Sequence, residues 1–342
     1  MIESDANPSG GHPLLTLEPV AAVERAAETL GRIRTEIAKR VIGQEVVVDQ
    51  SLISLLCGGH GLLVGAPGLA KTRLVEAIGH VLGLDGKRVQ FTPDLMPPDI
   101  LGAEVLEEGA DGARAFRFIA GPIFCQLLMA DEINRASPRT QSALLQAMQE
   151  KHVTVAGQRY DLPKPFHVLA TQNPIEQEGT YPLPEAQLDR FLLQIDVEYP
   201  DRDAEREILL ATTGAAEAEA TQVIDASDLM AMQKLVRRIP VGDAVMEAIL
   251  TLVRSGRPGE PETHPKAAET LAWGPGPRGA QSLMLAVRAR ALIDGRFAPT
   301  LDDVAALAPS ALKHRVALTF AARAEGVALE EVLTAMIESA CG

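Results

Sequence analysis

A lysine and a threonine stand side by side, Lys71 and Thr72, at the end of the segment GAPGLAKT (residues 65–72). The apolar run LLV just before this segment predicts a buried strand, and RLVEAI just after it predicts a helix. Glycines in such a turn let consecutive backbone N–H groups curl around a phosphate, and the helix N-terminus adds partial positive charge. This P-loop arrangement predicts that Lys71 reaches the β- and γ-phosphates of a nucleotide and that the Thr72 hydroxyl ligates Mg²⁺.

Position 70 departs from the strict P-loop pattern, because Ala70 stands where a second glycine is expected. The position opens the following helix, so an alanine is acceptable there if its φ is negative. The alternative for the whole segment is an ordinary strand–turn–helix that carries a surface lysine. We favour the nucleotide site, for which the predicted contacts are Gly65, Ala66, Pro67, Gly68, Leu69, Ala70, Lys71, Thr72 and Arg73.

Two adjacent acids follow a second apolar run, LLMA, which predicts a buried strand. In an open parallel sheet the C-terminal end of such a strand faces the ligand crevice. Asp131 is predicted to hold the water shell of Mg²⁺, and Glu132 to orient and polarise the attacking water. A solvated strand end is the alternative, but the spacing from Lys71, with one further strand between, favours the catalytic interpretation.

Three more polar residues are candidates for the same chemistry. Asn173 follows a predicted strand at 166–171, where its amide can hydrogen-bond the attacking water or the γ-phosphate; a turn before the next proline is the alternative. Arg190 ends a short predicted helix and either pairs with a nearby carboxylate or serves as an arginine finger for a nucleotide bound by a neighbouring subunit. Arg278 opens a helix after the loop GPGPRG and either reaches a nucleotide or lies on the surface.

The elements that position these residues divide the chain into four parts. We predict a flexible tail at 1–17, an α/β core at 18–211, a linker at 212–225 and a helical domain at 226–342. Helices of the last part are predicted at 226–238, 243–254, 281–294, 301–313 and 329–339.

Two predicted helices, at 20–40 and 45–56, flank the turn VIGQ ahead of the P-loop strand. Such a unit often walls the adenine pocket, so Ile42 and Gly43 are predicted to contact the nucleotide. Plain packing helices are the alternative.

Two β-hairpins are predicted within the core, from strands at 104–106 and 115–119 and from strands at 153–155 and 159–162. The proline-rich segment 92–99 predicts irregular chain, and 134–151 predicts a helix. The first hairpin is an insertion, because a core crossover does not need it.

Composition limits the classes of function. Hydrophobic residues make up 46% of the 342, which is sufficient for a large core, and the net charge of −14 argues against a general binder of nucleic-acid backbones. Aromatic residues are only 4%, which is few for stacking on bases. The three cysteines form no C-x-x-C pair and the histidines no H-x-x-x-H pair, so we expect a reduced, cytoplasmic setting and no transition-metal site. Neither a signal peptide nor a membrane-spanning run is predicted.

Taken together, these segments resemble the AAA+ superfamily, and in particular its MoxR family, over about residues 18–340. Each string is moderately specific, whereas all of them in this order are highly specific. The strings lie at residues 41–44, 65–72, 91–97, 121–124, 131–136, 170–174, 183–191 and 312–315.

The resemblance implies an α/β P-loop core with β-hairpin inserts and an all-α lid, assembled as a homo-oligomeric ring that is usually hexameric. It implies ATP and Mg²⁺ as ligands, and it assigns Asn173 as sensor 1, Arg190 as the arginine finger and Arg278 as sensor 2. The hairpins would face the ring pore or a client. The loop before Arg278 is unusually rich in glycine and proline, which leaves open whether this arginine serves its own nucleotide or a neighbour's.

The resemblance further implies a chaperone-like ATPase that remodels or matures a protein client, often with a von Willebrand A domain partner. Two alternatives share the fold: a motor subunit of the magnesium-chelatase kind, and a nucleic-acid-remodelling protein. The acidic net charge and the few aromatic residues disfavour the second alternative.

Overall fold

The computed structural model of this chain describes residues 12–108, 114–174, 179–214 and 218–342. Its first nine strands, β1 to β9, are Gly61–Val64, Gly86–Gln90, Gly102–Glu108, Arg114–Ala120, Leu127–Asp131, His152–Val155, Gln158–Asp161, His167–Gln172 and Leu193–Asp196. Five of them form one parallel sheet in the order β2-β5-β8-β1-β9. The strand β5 is buried along its whole length, as expected for a parallel strand that is covered on both faces.

Helices cover this sheet. The first eight, α1 to α8, are Pro13–Thr16, Pro19–Ala38, Glu45–Leu56, Lys71–Val81, Pro97–Leu101, Pro138–Glu150, Glu185–Leu188 and Arg202–Thr213. Because the carboxyl ends of parallel strands meet at one edge, the chain segments that follow β1, β5 and β8 come together there. Those three segments carry the predicted P-loop, the acid pair and Asn173.

Both predicted hairpins are present as antiparallel pairs, β3 with β4 and β6 with β7. They contact each other through Phe118 and Tyr160, whose rings stack with centroids 3.9 Å apart. The predicted turn of the first hairpin lies partly outside the described residues, which omit 109–113.

The last part of the chain is the helical lid. Its helices α9 to α15 are Ala226–Arg238, Asp243–Ser255, Pro265–Thr270, Pro277–Ile293, Leu301–Leu312, Phe320–Ala324 and Leu329–Cys341. The predicted parallel core and helical lid are therefore confirmed. The lid also carries an unpredicted antiparallel ribbon of two short strands, β10 and β11, at Leu271–Trp273 and Ala317–Leu318.

One hydrophobic core joins the lid to the sheet. Leu63 of β1 and Leu169 of β8 belong to the same buried cluster as Leu52 of α3, Leu235 of α9 and Leu283 of α12. A second cluster lies on the other face of the sheet, beneath α6 and the hairpins. Within the described residues, every helix is too short or too polar to cross a membrane.

Three local predictions are wrong. The tail predicted at 1–17 ends in the helix α1, because Leu14 is buried against α2 and α9; residues 1–11 lie outside the described part. The irregular segment predicted at 92–99 becomes helical at Pro97, a residue tolerated in a first helical turn, and the Asp99 carboxylate accepts the Met96 N–H (2.8 Å).

The helix predicted at 134–151 begins only at Pro138. The Ser137 side chain caps its N-terminus, and Ile133–Arg135 form a separate 3₁₀ turn. A proline at the first helical position and a serine before it set the start, which apolar spacing alone placed too early.

Candidate functional site

The turn after β1 holds two residues in the left-handed region. Gly68 has a φ of +84°, and Ala70 has a φ of +54° with a ψ of +21°. The condition of a negative φ at Ala70 is therefore not met, and an alanine in this conformation costs roughly 1–2 kcal/mol. In this conformation its carbonyl still accepts the first hydrogen bond of α4, from the Leu74 N–H (2.9 Å).

Gly65 is a glycine for a different reason. A Cβ at this position would lie 2.4 Å from the carbonyl oxygen of Val197, which follows β9. The absence of a side chain thus lets the P-loop pack directly against the end of the neighbouring strand.

The Lys71 side chain folds back over the loop. Its Nζ donates to the carbonyl oxygens of Gly65 (2.8 Å) and Ala66 (2.6 Å). Burial lowers the pKa of this ammonium, and the nearby carboxylates of Asp131 and Glu132 oppose that shift. The loop's own carbonyl oxygens thus hold this cation beside the turn predicted to bind phosphate.

Asp131 is fixed by two neighbouring strands. One carboxylate oxygen accepts the Thr171 hydroxyl (2.6 Å), and the other accepts the Arg88 guanidinium (2.6 Å from Nη2). Thr171 also accepts the backbone N–H of Glu132 (2.8 Å). A residue of β8 therefore sets the positions of both acids at the end of β5.

Glu132 occupies a strained turn. Its φ of +55° and ψ of +51° are left-handed, which is uncommon for a residue other than glycine. Its carboxylate accepts hydrogen bonds from Gln90 (2.7 Å) and Arg135 (3.0 Å). These donors hold the carboxylate at the strand end, and an attacking water would have to share it with them.

Residues 67–73 of the P-loop, both acids and Asn173 line a single cavity of about 440 Å³, which we call the P-loop cavity; Gly65 and Ala66 are not among its lining residues. The structure thus brings together the residues predicted for phosphate, metal and water. Within the described residues no group of three His, Cys, Asp or Glu side chains could hold a metal ion. Mg²⁺ needs no such group, because it is bound by one or two protein oxygens together with phosphates and water. Thr72 and Asp131 line this cavity and would supply such oxygens.

A narrower cavity of about 120 Å³ adjoins the P-loop and has an apolar lining suited to a nucleotide base. Ile42 lines it, as predicted, whereas Gly43 is not among its lining residues. Gly43 has a φ of +69°, and a Cβ there would lie 2.4 Å from the Cβ of Ala204. Sequence reasoning missed the other wall, which Pro200 and Ile208 contribute from the segment around α8.

The two remaining arginines lie elsewhere. Arg190 and Arg278 line a third cavity, of about 230 Å³, which we call the arginine cavity and which shares no lining residue with the P-loop cavity. Asp189 also lines this cavity. It directly precedes Arg190 in the chain, and its Oδ2 lies 3.7 Å from Nη1 of Arg278. The predicted finger and the predicted sensor 2 are thus grouped with each other rather than with Lys71.

Sequence reasoning also gave no role to Thr171, Arg88 or Gln90. The register of β2 against β5 pairs Arg88 with Met129 and Gln90 with Asp131, so both side chains reach the acid pair from the edge strand. Knowledge of which strands are neighbours would have revealed them, and the sequence alone does not give the strand order.

Comparisons with known proteins identify the family of this chain. The sequence model of the ATPase family associated with various cellular activities (AAA) matches residues 60–193, and that of the AAA lid domain matches 265–336. The chain is 39% identical to Chaperone MoxR1 of Mycobacterium tuberculosis over 335 residues, which is 96% of this chain and 88% of that protein. It is 31% identical to Protein MoxR of Methylorubrum extorquens, over 85% of this chain and 88% of that one.

The fold has a close counterpart as well. The crystal structure of a candidate ATPase from Cytophaga hutchinsonii matches with a TM-score of 0.85 and 33% identity, over 92% of this chain and 95% of that one. The similarity extends through both the P-loop core and the lid. The chain belongs to the MoxR family of AAA+ ATPases.

Proposed function

We propose that this chain hydrolyses ATP to ADP and phosphate at a site that a second copy of the chain completes. The observation that carries the proposal is the separation of the P-loop cavity from the arginine cavity. Phosphoryl transfer requires positive charge around the γ-phosphate beyond that of a P-loop lysine. An arginine that does not line its own P-loop cavity can supply this charge to a neighbour in a head-to-tail assembly.

Each residue of the P-loop cavity has a role in this proposal. The loop amides and Lys71 bind the phosphates, and Thr72 and Asp131 would hold Mg²⁺, which neutralises phosphate charge when bound. Glu132 orients the attacking water and accepts its proton, and Asn173 hydrogen-bonds the same water or the γ-phosphate. Adenine would occupy the apolar cavity beside Ile42.

The second copy contributes Arg190 as the finger and Arg278 as a further cation. An arginine supplied in trans raises the rate by about 10³–10⁵-fold in related P-loop systems. A single subunit should therefore bind ATP but hydrolyse it slowly. The ring is expected to be hexameric, as the family resemblance implies.

We propose a chaperone-like role in the cytoplasm, the remodelling or maturation of a protein client with a von Willebrand A domain partner. One relative is named Chaperone MoxR1, which supports the general role. The first hairpin supports client contact, because Phe116 is 71% exposed and Val105, Leu106 and Ile119 are at least 42% exposed. A Glu132→Gln variant loaded with ATP should retain its client in a pull-down, because binding persists while hydrolysis stops.

The decisive experiment mixes two inactive variants. Arg190→Ala should bind ATP normally and lose about 10³-fold in turnover, and Lys71→Ala should fail to bind. Mixed in equal amounts, they should regain activity, because an intact P-loop of the first then faces an intact Arg190 of the second. A mixture as inactive as its components would contradict the shared site, as would full turnover by Arg190→Ala alone.

A further inference from the structure

A single turn of the lid makes several hydrogen bonds to the segment that contains Arg190. The 3₁₀ turn Lys313–Arg315 follows α13, and its last two side chains are buried. Both contact the short segment 189–192, which contains Arg190. We call this segment the finger segment.

Arg315 is only 1% exposed and has an acceptor for each of its three nitrogens. Its Nε donates to the Asp189 carboxylate (2.7 Å). Its Nη2 donates to the carbonyl oxygens of Phe191 (2.7 Å) and Asp189 (3.2 Å), and its Nη1 to those of Leu192 (3.2 Å) and Ala311. A buried guanidinium is stable only when it is paired in this way.

His314 adds a second link to the same backbone. Its Nε2 donates to the Phe191 carbonyl oxygen (3.1 Å). Burial and the adjacent Arg315 hold the pKa of this imidazole well below its usual range, so the ring is neutral and acts as a single N–H donor. The lid turn thus binds the finger segment at its carboxylate and at three of its carbonyl groups.

The contacts extend from Arg315 to the second arginine. Asp189 gives one oxygen to Arg315, and its other oxygen lies 3.7 Å from Arg278. Arg278 begins α12 of the lid, and Arg190 adjoins Asp189 in the chain. The Asp189 carboxylate therefore lies between Arg315 and Arg278, and the backbone of Asp189 connects it directly to Arg190.

We propose that Arg315 is a positioning residue that sets Arg190 and Arg278 in the geometry required to act on the nucleotide of a neighbouring copy. This inference rests on the proposed shared site. It assigns to Arg315 no contact with nucleotide: Arg315 lines the arginine cavity, but its side chain is only 1% exposed and its nitrogens already donate to the lid and the finger segment. Its effect is therefore on turnover at the neighbour's site rather than on the binding of ATP at its own.

Two variants and a control test this assignment. Arg315→Lys keeps the charge but loses the planar set of donors, and Asp189→Asn keeps the shape but loses the charge. We expect each to lower kcat by about tenfold or more while KM stays within about threefold. Lys313→Met is the control, because Lys313 ties the same lid turn to Asp196 and Glu330 (both 2.8 Å) rather than to the finger segment. The control should keep nearly full turnover.

Mixing with Lys71→Ala separates positioning from a general loss of structure. Random mixing in equal amounts places the variant's intact P-loop against an intact finger segment at about one interface in four. Arg315→Lys with Lys71→Ala should therefore recover activity, as should Asp189→Asn with Lys71→Ala. Should the Arg315 variant prove insoluble, the Asp189 variant alone decides, because it leaves the buried guanidinium and its carbonyl partners in place.

The possible results are distinct. One result is that Arg190→Ala recovers activity when mixed with Lys71→Ala, whereas neither Arg315→Lys nor Asp189→Asn recovers activity in the same test. This result overturns the role of Arg315 and leaves the shared site intact. Full turnover by Arg315→Lys and by Asp189→Asn, each measured without mixing, also overturns the role of Arg315. Failure of the Arg190→Ala mixture overturns the shared site itself, and with it this inference.

Discussion

The P-loop cavity and the arginine cavity are built in opposite ways. The first uses residues at the ends of adjacent parallel strands, and its central segment is continuous from Pro67 to Arg73. The second joins Arg190 of the core to Arg278 of the lid and is supported by the buried Arg315. The first cavity is therefore lined by residues of the core alone, whereas the second depends on how the lid packs on the core.

The largest effect is expected in the P-loop cavity. Lys71→Ala should weaken nucleotide binding at least about a hundredfold, because the cation at the β- and γ-phosphates is lost. Titration with a fluorescent ATP analogue measures this directly. Lys234→Ala, at an exposed lysine of α9, is the control and should bind normally. Tight binding by Lys71→Ala would show that the phosphates lie elsewhere.

A smaller effect is expected in the arginine cavity. Arg278→Ala should lower turnover by about 10–100-fold and leave ATP binding nearly unchanged, because the residue supplies charge without forming the phosphate site. Arg323→Ala, at an exposed arginine of the lid, should have no effect. If mixing Arg278→Ala with Lys71→Ala restores nothing while Arg190→Ala recovers, then Arg278 serves its own nucleotide and the two cavities are less separate than we propose.

The smallest effect is a dependence of stability on pH, and it arises beside the arginine cavity. His60, which lines the arginine cavity, and its neighbour His167 are buried, and burial lowers their pKa to about 3 and about 4. The unfolded chain, with an ordinary histidine pKa, binds more protons than the folded chain between those values and about 6.5. The free energy of unfolding therefore has its full value, with respect to these two histidines, above about pH 6.5. It decreases as the pH falls, by up to about 1.4 kcal/mol per pH unit for each histidine.

Urea unfolding at a series of pH values between 7 and 4.5 measures this loss. His60→Gln should have lower stability at neutral pH but a shallower dependence on pH. His80→Gln, at an exposed histidine of α4, should keep the slope of the unchanged protein. An identical slope for His60→Gln would mean that other groups cause the loss of stability in acid.

The sequence predicts the first cavity far better than the second. The pattern predicts Asp131, Glu132 and Asn173 at the ends of strands, and Lys71 and Thr72 in the turn that follows another strand. The ends of parallel strands converge whatever the strand order, so these residues meet in one cavity. The left-handed φ at Ala70 was not expected, because it depends on the start of α4 and on tertiary packing that local pattern does not reveal.

The second cavity could be predicted only as separate residues. Arg190 and Arg278 are 88 positions apart, and nothing in their spacing shows that Asp189, which precedes Arg190, lies 3.7 Å from Arg278. Arg315 lies within a string that resembles the family, yet its burial and its carbonyl partners follow from the docking of lid on core. Periodicity gives the helices of the lid but not the face on which they dock.

The shared hydrophobic core has a consequence for how this protein can move. Leu52 of α3 and Leu283 of α12 lie in the same buried cluster. Rotation of the lid away from the sheet would therefore expose a continuous apolar surface to solvent. We expect truncation before α9 to give aggregates rather than a working half-protein. In the proposed assembly we therefore expect nucleotide-dependent motion to occur between neighbouring chains rather than between the lid and the core of one chain.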